Sequence, residues 1–245
     1  MLKQYHKINI LGIQFSRLTN QQLIKQLTLD LEQQQRRFIV TANPEIVLYA
    51  RKHSKYAAIL KQADLITADG IGIVIGAKLL GQPLPERVTG FDTLQQLLKV
   101  AEKKQKSVYF LGARATVLNT ALKNIQRQYP KLIIAGYHDG YYQSAAEIGQ
   151  TIKQLQPDIV LVALGFPKQE TFISQYAAGT HAIWMGVGGS FDVIAGKVKR
   201  APLFWQKHHI EWCYRLLQEP SRFPRMLALP KYLLLVLGQK FHLVH

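Results

Sequence analysis

Six short apolar runs alternate along the chain with longer segments in which apolar residues recur at helical spacing. The runs are nearly continuous, which is typical of parallel strands buried on both faces by helices. They span residues 38–41, 65–67, 108–111, 132–135, 159–163 and 182–185. Helix starts are indicated at Asn43-Pro44, Asp92-Thr93 and Pro167. This alternation predicts an α/β fold built on a Rossmann-like, doubly wound, mainly parallel sheet.

The pattern changes near Pro202. Beyond it the chain predicts helices with several aromatic residues, and no further strand alternates with them. We therefore expect an α/β core over residues 1–200 and a helical, basic C-terminal appendage over residues 201–245. From Lys197 onward nine Lys and Arg residues stand against two Glu, so this stretch carries +7 of the net charge of +16. Its longest apolar run, 232–237, is far shorter than the roughly 20 residues that cross a bilayer.

The positive charge limits the classes of partner. A net charge of +16 in 245 residues attracts nucleic acid, an anionic membrane surface or phosphorylated substrates. Cys213 is the single cysteine, which excludes an internal disulfide and a cysteine-based zinc site and fits a reducing compartment. The first residues lack the apolar region of a secretory signal, so we expect a cytoplasmic protein.

Polar residues and glycines follow four of the predicted strands. Because the carboxyl ends of parallel strands meet at one edge of the sheet, we expect these residues to line a single crevice. They are Thr41, Asn43, Asp69, Gln169, Gly188, Gly189 and Asp192.

Several of these side chains have two interpretations. Asp69 is either a general base at the sheet edge or the N-cap of the following helix. Thr41 and Asn43 are compatible with binding a nucleotide or a sugar, although Asn43 is also the predicted cap. Gln169 has no evident structural role, so the alternative to ligand binding is a place on the surface of a helix. For Glu170 we expect pairing with Lys168 or solvent.

The tract 186–192 suits an anionic ligand because glycines allow backbone N–H groups to approach a phosphate closely. Lys197, Lys199 and Arg200 follow it and supply positive charge. Arg87 lies in a proline-rich loop. Its planar guanidinium group either binds a diphosphate or remains an exposed surface group. The alternative for the whole tract is a turn with a solvated basic face.

The sequence lacks the motifs of several enzyme classes. It has no G-x-G-x-x-G, no G-x-x-x-x-G-K-[ST], no H-E-x-x-H and no G-x-S-x-G, which disfavours nicotinamide dehydrogenases, P-loop NTPases, zincins and α/β-hydrolases. It also lacks an Asp-x-Asp pair, so we expect neither a metal nor a cofactor. A nucleotide- or nucleic-acid-binding module is favoured by charge alone. We find no helix-turn-helix or aromatic-basic sheet face, and we expect no nucleic-acid partner.

Five blocks together resemble the signature of the WecG/TagA/CpsF glycosyltransferase family, in order, between about residues 8 and 225. The blocks are 41–45, 63–70, 85–90, 165–170 and 186–192 with 200–202. The resemblance implies an inverting hexosyltransferase that moves N-acetylmannosamine from a UDP donor to undecaprenyl-diphosphate-linked N-acetylglucosamine. It also implies Asp69 as the base, Thr41 and Asn43 beside it, and Gln169 as a contact to donor or acceptor. The sequence does not distinguish this donor from its uronic acid or another UDP-hexose.

The appendage combines apolar and basic residues in the manner of an interfacial helix. We expect it to dock on the anionic inner face of the cell membrane and to bring Arg215, Arg222 and Arg225 to the acceptor's diphosphate. An ordinary core helix or a homo-oligomer interface is the alternative. For a protein cut at Arg200 we expect a folded core with little activity.

Overall fold

The computed structural model describes residues 5–202, 204–205, 211–218, 227–241 and 243. Within them, a six-stranded sheet is accompanied by a two-stranded antiparallel hairpin. The hairpin consists of β1 (Lys7–Ile10) and β2 (Ile13–Ser16). The sheet consists of β3 (Arg37–Ala42), β4 (Leu65–Ala68), β5 (Ser107–Gly112), β6 (Ile133–His138), β7 (Ile159–Ala163) and β8 (Ile183–Gly186).

The six strands are all parallel and lie in the order β4-β3-β8-β7-β5-β6. The chain leaves β4 at one edge, crosses to β5 and β6 near the other, and returns through β7 and β8 to pair with β3. The carboxyl ends of β3, β4, β7 and β8 therefore lie close together in the half of the sheet where the strand order reverses, the place where open α/β sheets bind ligands. The predicted α/β fold with a parallel sheet is confirmed.

Helices cover both faces of the sheet. They are α1 (Asn20–Glu32), α2 (Pro44–Lys52), α3 (Ser54–Lys61), α4 (Ile71–Leu79), α5 (Gly90–Lys103), α6 (Ala115–Gln128), α7 (Ala145–Leu155), α8 (Lys168–Tyr176), α9 (Ser190–Ile194), and two later helices, Glu211–Gln218 and Ala228–Lys240. Successive strand residues enter opposite cores: Trp184 packs on one side of the sheet, Ile183 and Met185 on the other. This double burial explains why the strands are continuously apolar.

The structure places the start of one helix and the ends of one strand differently from the sequence prediction. The helix that we expected to be capped at Asp92-Thr93 begins at Gly90, and its N-cap is Thr89, whose hydroxyl accepts a hydrogen bond from the Asp92 backbone N–H at 3.1 Å. Thr and Asp are both good caps, so residue type alone did not identify which one occupies the cap. The predicted strand 132–135 begins at Ile133 and extends to His138.

The Ala228–Lys240 helix packs against the α/β core. Tyr232 and Val236 are fully buried in the same cluster that covers one face of the sheet. The Tyr232 ring lies against Gly76 of α4, where a β-carbon would come within 2.3 Å of the tyrosine hydroxyl. The Gln239 side chain hydrogen-bonds to the backbone of the β1–β2 hairpin. Among the described residues, no helix combines the length and apolar character that a membrane span requires.

Candidate active site

A cavity of about 440 Å³ opens at the carboxyl ends of the strands, within the size range of small-molecule sites. The residues that line it come from the loops after β3, β4, β7 and β8, from the loop before α5 and from the two C-terminal helices. Eight residues singled out from the sequence are among them: Thr41, Asn43, Asp69, Arg87, Gln169, Gly188, Gly189 and Asp192. The expected convergence on one crevice is therefore observed.

Asp69 follows the last residue of β4 and faces the start of α5. Its Oδ2 accepts a hydrogen bond from the backbone N–H of Gly90 at 3.2 Å. The following helix, α4, has Gly70 as its N-cap without a side-chain hydrogen bond, so Asp69 does not cap it. A β-carbon at Gly90 would lie 2.9 Å from Thr41 Oγ1 and 3.4 Å from Asp69 Oδ2, so the hydroxyl and the carboxylate approach the same point.

Asn43 lines the cavity and also caps a helix. Its Oδ1 accepts a hydrogen bond from the Ile46 backbone N–H at 3.0 Å, at the start of α2, with Pro44 in the first helical turn. The capping interpretation of Asn43 is thus observed. The cap holds the side chain at the cavity wall.

Gln169 and Glu170 behave differently from the sequence expectation. Gln169 is only 5% exposed; its Oε1 accepts from the Gly188 backbone N–H at 3.0 Å, and its Nε2 donates to Glu170 Oε1 at 2.7 Å. Glu170 is buried rather than paired with a lysine or solvent, and burial raises its pKa. The Gly188 N–H, which we had expected to face a phosphate, is therefore engaged by Gln169.

Two arginines at the cavity share one carboxylate. Arg87 forms an ion pair with Glu211, and Arg200 Nε lies 3.8 Å from the other oxygen of that carboxylate. Arg200 also donates to Asp92 Oδ1 at 2.7 Å, and its guanidinium carbon lies 4.8 Å from the centre of the Phe91 ring. Arg87 is thus a fixed side chain at the cavity, where a planar guanidinium group suits a diphosphate.

The described lining is more acidic than the sequence indicated. Arg200 lines the cavity, but Lys197 and Lys199 are not among the lining residues. The ionisable residues that do line it are Glu45, Asp69, Asp192, Glu211, Arg87 and Arg200. Four acids thus face two bases in the described wall. Within the described ranges, no three His, Cys, Asp or Glu residues cluster in a way that could hold a metal ion.

Several predicted residues are not placed at the cavity. Arg222, Arg225 and the side chain of Arg215 lie outside the described residues. Gly112, at the end of β5, has its backbone packed against Ala163, where a β-carbon would come within 2.4 Å. It does not line the cavity.

Sequence reasoning missed three contributors to the site. Glu211 and Trp212 reach the cavity from the C-terminal part of the chain, and Gly90 contributes its N–H and its lack of a side chain. The position of Glu211 as one of only two acids in the basic C-terminal stretch was an available signal. Its partner Arg87 lies 124 residues away, so no local spacing indicated the pair.

The chain is similar to a known protein family and to several named proteins. The model of the "Glycosyl transferase WecG/TagA/CpsF family" matches residues 8–245. Three relatives carry the name N-acetylglucosaminyldiphosphoundecaprenol N-acetyl-beta-D-mannosaminyltransferase. The relative from Bacillus spizizenii is 46% identical over 86% of this chain and 82% of its own length. The one from Bacillus subtilis is 42% identical over 82% and 79%. The one from Staphylococcus aureus is 38% identical over 93% and 91%.

The family match spans nearly the whole described fold, including the loops that carry Thr41, Asp69, Arg87 and Gln169. The three relatives share 38–46% identity with this chain over 82–93% of its length, well above the level at which only the fold is shared. This chain belongs to the WecG/TagA/CpsF family of glycosyltransferases.

Proposed function

We propose that the protein transfers N-acetylmannosamine from UDP-N-acetylmannosamine to undecaprenyl-diphosphate-linked N-acetylglucosamine, an early step in the synthesis of the wall teichoic acid linkage unit. The observation that carries the proposal is the convergence of Asp69, Thr41, Arg87 and Gln169 on one cavity at the sheet edge. The names of the relatives supply the identity of the sugar and of the lipid-linked acceptor.

In the proposed reaction an acceptor hydroxyl attacks the anomeric carbon of the donor sugar in a single displacement. Asp69 takes the hydroxyl proton as the new C–O bond forms, with Thr41 beside it. The bond between the anomeric carbon and the diphosphate breaks, and UDP leaves with the electron pair. One base and one displacement invert the anomeric centre without a covalent intermediate. Arg87 and Arg200 neutralise the charge that develops on the leaving diphosphate.

The described wall supplies too little positive charge for a diphosphate, because four acids face two bases. We propose that Arg215, Arg222 and Arg225 of the C-terminal appendage complete the site. Trp212 and Leu229, which flank this stretch, already line the cavity. The appendage, residues 201–245, thus functions as the acceptor-binding part of the protein beside the core of residues 1–200.

The direct test is incubation of the purified protein with UDP-hexoses and a lipid-diphosphate-N-acetylglucosamine acceptor. We expect release of UDP and a mannosaminylated lipid only with UDP-N-acetylmannosamine. Turnover with its uronic acid instead would place the protein in another surface-polysaccharide pathway. Binding of nucleic acid without any transfer would favour the binding-module alternative.

Chelation is expected to leave the transfer rate nearly unchanged. The sequence has no Asp-x-Asp pair to hold a metal on the donor, and arginines are proposed to bear the diphosphate charge. The measurement is initial rate with and without excess EDTA, with magnesium added back as the control. A rate that collapses in EDTA and returns with magnesium would contradict metal independence.

Replacing Glu211 by Gln is expected to tighten UDP binding about three- to tenfold. The reason is that the substitution removes a negative charge, of the same sign as the diphosphate, from beside Arg87 and Arg200 in a partly buried site. Titration calorimetry with UDP measures the change. Glu32→Gln is the matched control, since Glu32 pairs with Lys104 on the surface, away from the cavity. Weaker UDP binding in Glu211→Gln would mean that the carboxylate holds the site together instead of competing with the diphosphate.

We further propose that the protein binds the anionic inner face of the cell membrane through one face of the Ala228–Lys240 helix. Leu234, Leu237 and Phe241 are exposed there, on the side opposite the buried Tyr232. A triple substitution of these three residues by Ser is expected to weaken sedimentation with anionic liposomes by more than about tenfold. Leu155→Ser, an exposed leucine on α7, is the control. Equal sedimentation of the triple variant and the wild type would exclude this face.

A further inference from the structure

A buried carboxyl group lies behind the glycine loop and takes no part in the proposed chemistry. Glu170 is 1% exposed and accepts a hydrogen bond from Gln169 Nε2 at 2.7 Å. Gln169 Oε1 in turn accepts from the Gly188 N–H at 3.0 Å. One of these hydrogen bonds connects the first turn of α8 to the loop that follows β8, and the other lies within that turn.

The direction of these bonds follows from donor and acceptor chemistry. A backbone N–H only donates, so the carbonyl end of the Gln169 amide must face Gly188. The amide nitrogen then points the other way and needs an acceptor. Glu170 supplies that acceptor inside the protein, where water is excluded.

The end of β8, just before the loop, lies directly beneath Gln169. A β-carbon at Gly186 would come within 2.6 Å of Gln169 Nε2, so the amide packs directly on the bare backbone. Gly188 has a φ of +50°, in the left-handed region that side chains disfavour. The Gln169 amide therefore contacts both the Gly186 backbone and the Gly188 N–H.

The surroundings of Glu170 act on the pKa of its carboxyl group in two directions. Burial raises the pKa of its carboxyl group, while hydrogen bonds from Gln169 and from its own backbone N–H act in the opposite direction. The Tyr56 hydroxyl lies close by, without a hydrogen bond of ordinary geometry among the described residues. A glutamine side chain at position 170 has the same shape and keeps a carbonyl acceptor, so it is a fair mimic.

We propose that Glu170 is a positioning residue: it orients the Gln169 amide, which holds the Gly188 loop in the shape that receives the donor. The inference rests on the proposed function only where transfer rates are measured. Its structural part, the chain of hydrogen bonds through Gln169, is tested without turnover.

The first test is hydrogen exchange at the Gly188 amide. Glu170→Met removes the acceptor at nearly constant volume, and exchange at Gly188 should accelerate about tenfold or more as the Gln169 amide loses its orientation. Glu170→Gln should restore most of the protection. Gly186→Ala, which displaces Gln169 from the other side, should accelerate exchange in the same way. Unchanged exchange at Gly188 in Glu170→Met would overturn the proposal, whatever Gly186→Ala does.

The second test is kinetic. Glu170→Met should lower kcat/KM about tenfold or more, and Glu170→Gln should recover most of that loss. If Glu170 acts through Gln169, the double variant Glu170→Met/Gln169→Met should be no slower than Gln169→Met alone. Tyr56→Phe, which removes only the neighbouring hydroxyl, is the control. Melting temperatures distinguish a specific loss of kcat/KM from general destabilisation of the protein. Additive losses in the double variant would overturn the proposal that Glu170 acts through Gln169. A wild-type protein that shows no transfer would overturn the proposed function instead, and the hydrogen-exchange test alone would then decide the role of Glu170.

Discussion

Asp69→Asn is expected to lower kcat by roughly two to four orders of magnitude, the range for loss of a general base. Asn cannot take the proton from the acceptor hydroxyl, but its carbonyl still accepts from the Gly90 N–H, so the local structure should persist. UDP affinity should change little because the substitution leaves Arg87 and Arg200 in place. The measurement is steady-state transfer, with UDP titration and thermal unfolding alongside.

Asp139→Asn is the matched control for this experiment. Asp139 follows β6 at the same edge of the sheet and accepts a hydrogen bond from the Tyr141 N–H at 2.7 Å, yet it does not line the cavity. It should retain wild-type turnover. If Asp69→Asn turned over at the wild-type rate with an unchanged melting temperature, Asp69 would not be the base.

Tyr232→Ala is expected to reduce the free energy of unfolding by about 3–5 kcal/mol, as for other large buried aromatic side chains. Tyr232 is fully buried against Gly76 and anchors the Ala228–Lys240 helix to the core. A loss of this size is a large part of the about 5–15 kcal/mol that stabilises a typical protein. Urea denaturation of the wild type and the variant gives the difference.

Tyr232→Phe tests whether packing accounts for that stability. Among the described residues, the Tyr232 hydroxyl has no hydrogen-bond partner, so its removal should change the free energy of unfolding by less than about 1 kcal/mol.

The packing of Tyr232 argues against our expectation that a chain cut at Arg200 keeps a folded core, because the cut also removes Tyr232 and Val236. Identical unfolding curves for Tyr232→Ala and the wild type would show that the helix is dispensable for the core.

The amino-acid sequence by itself determined the layered fold and the edge of the sheet at which the cavity opens. Strands such as 159–163 are apolar at every position because both faces of a parallel sheet are covered, and that signal is local. Asn43 before Pro44 indicated a cap for the same reason, since a cap involves residues only three apart. Because parallel strands end at one edge, Thr41, Asp69 and Gln169 were expected together before any coordinates.

The tertiary structure alone decided which polar groups at that edge are already engaged. The Gly188 N–H contacts Gln169, 19 residues earlier, and Arg87 pairs with Glu211, 124 residues later. Gly90 approaches Asp69 from a different loop. Such contacts depend on how separate loops meet after folding, and residue spacing carries no information about them. The sequence therefore predicted the edge of the sheet where the cavity lies, and only packing decided which donors and acceptors there remain for a ligand.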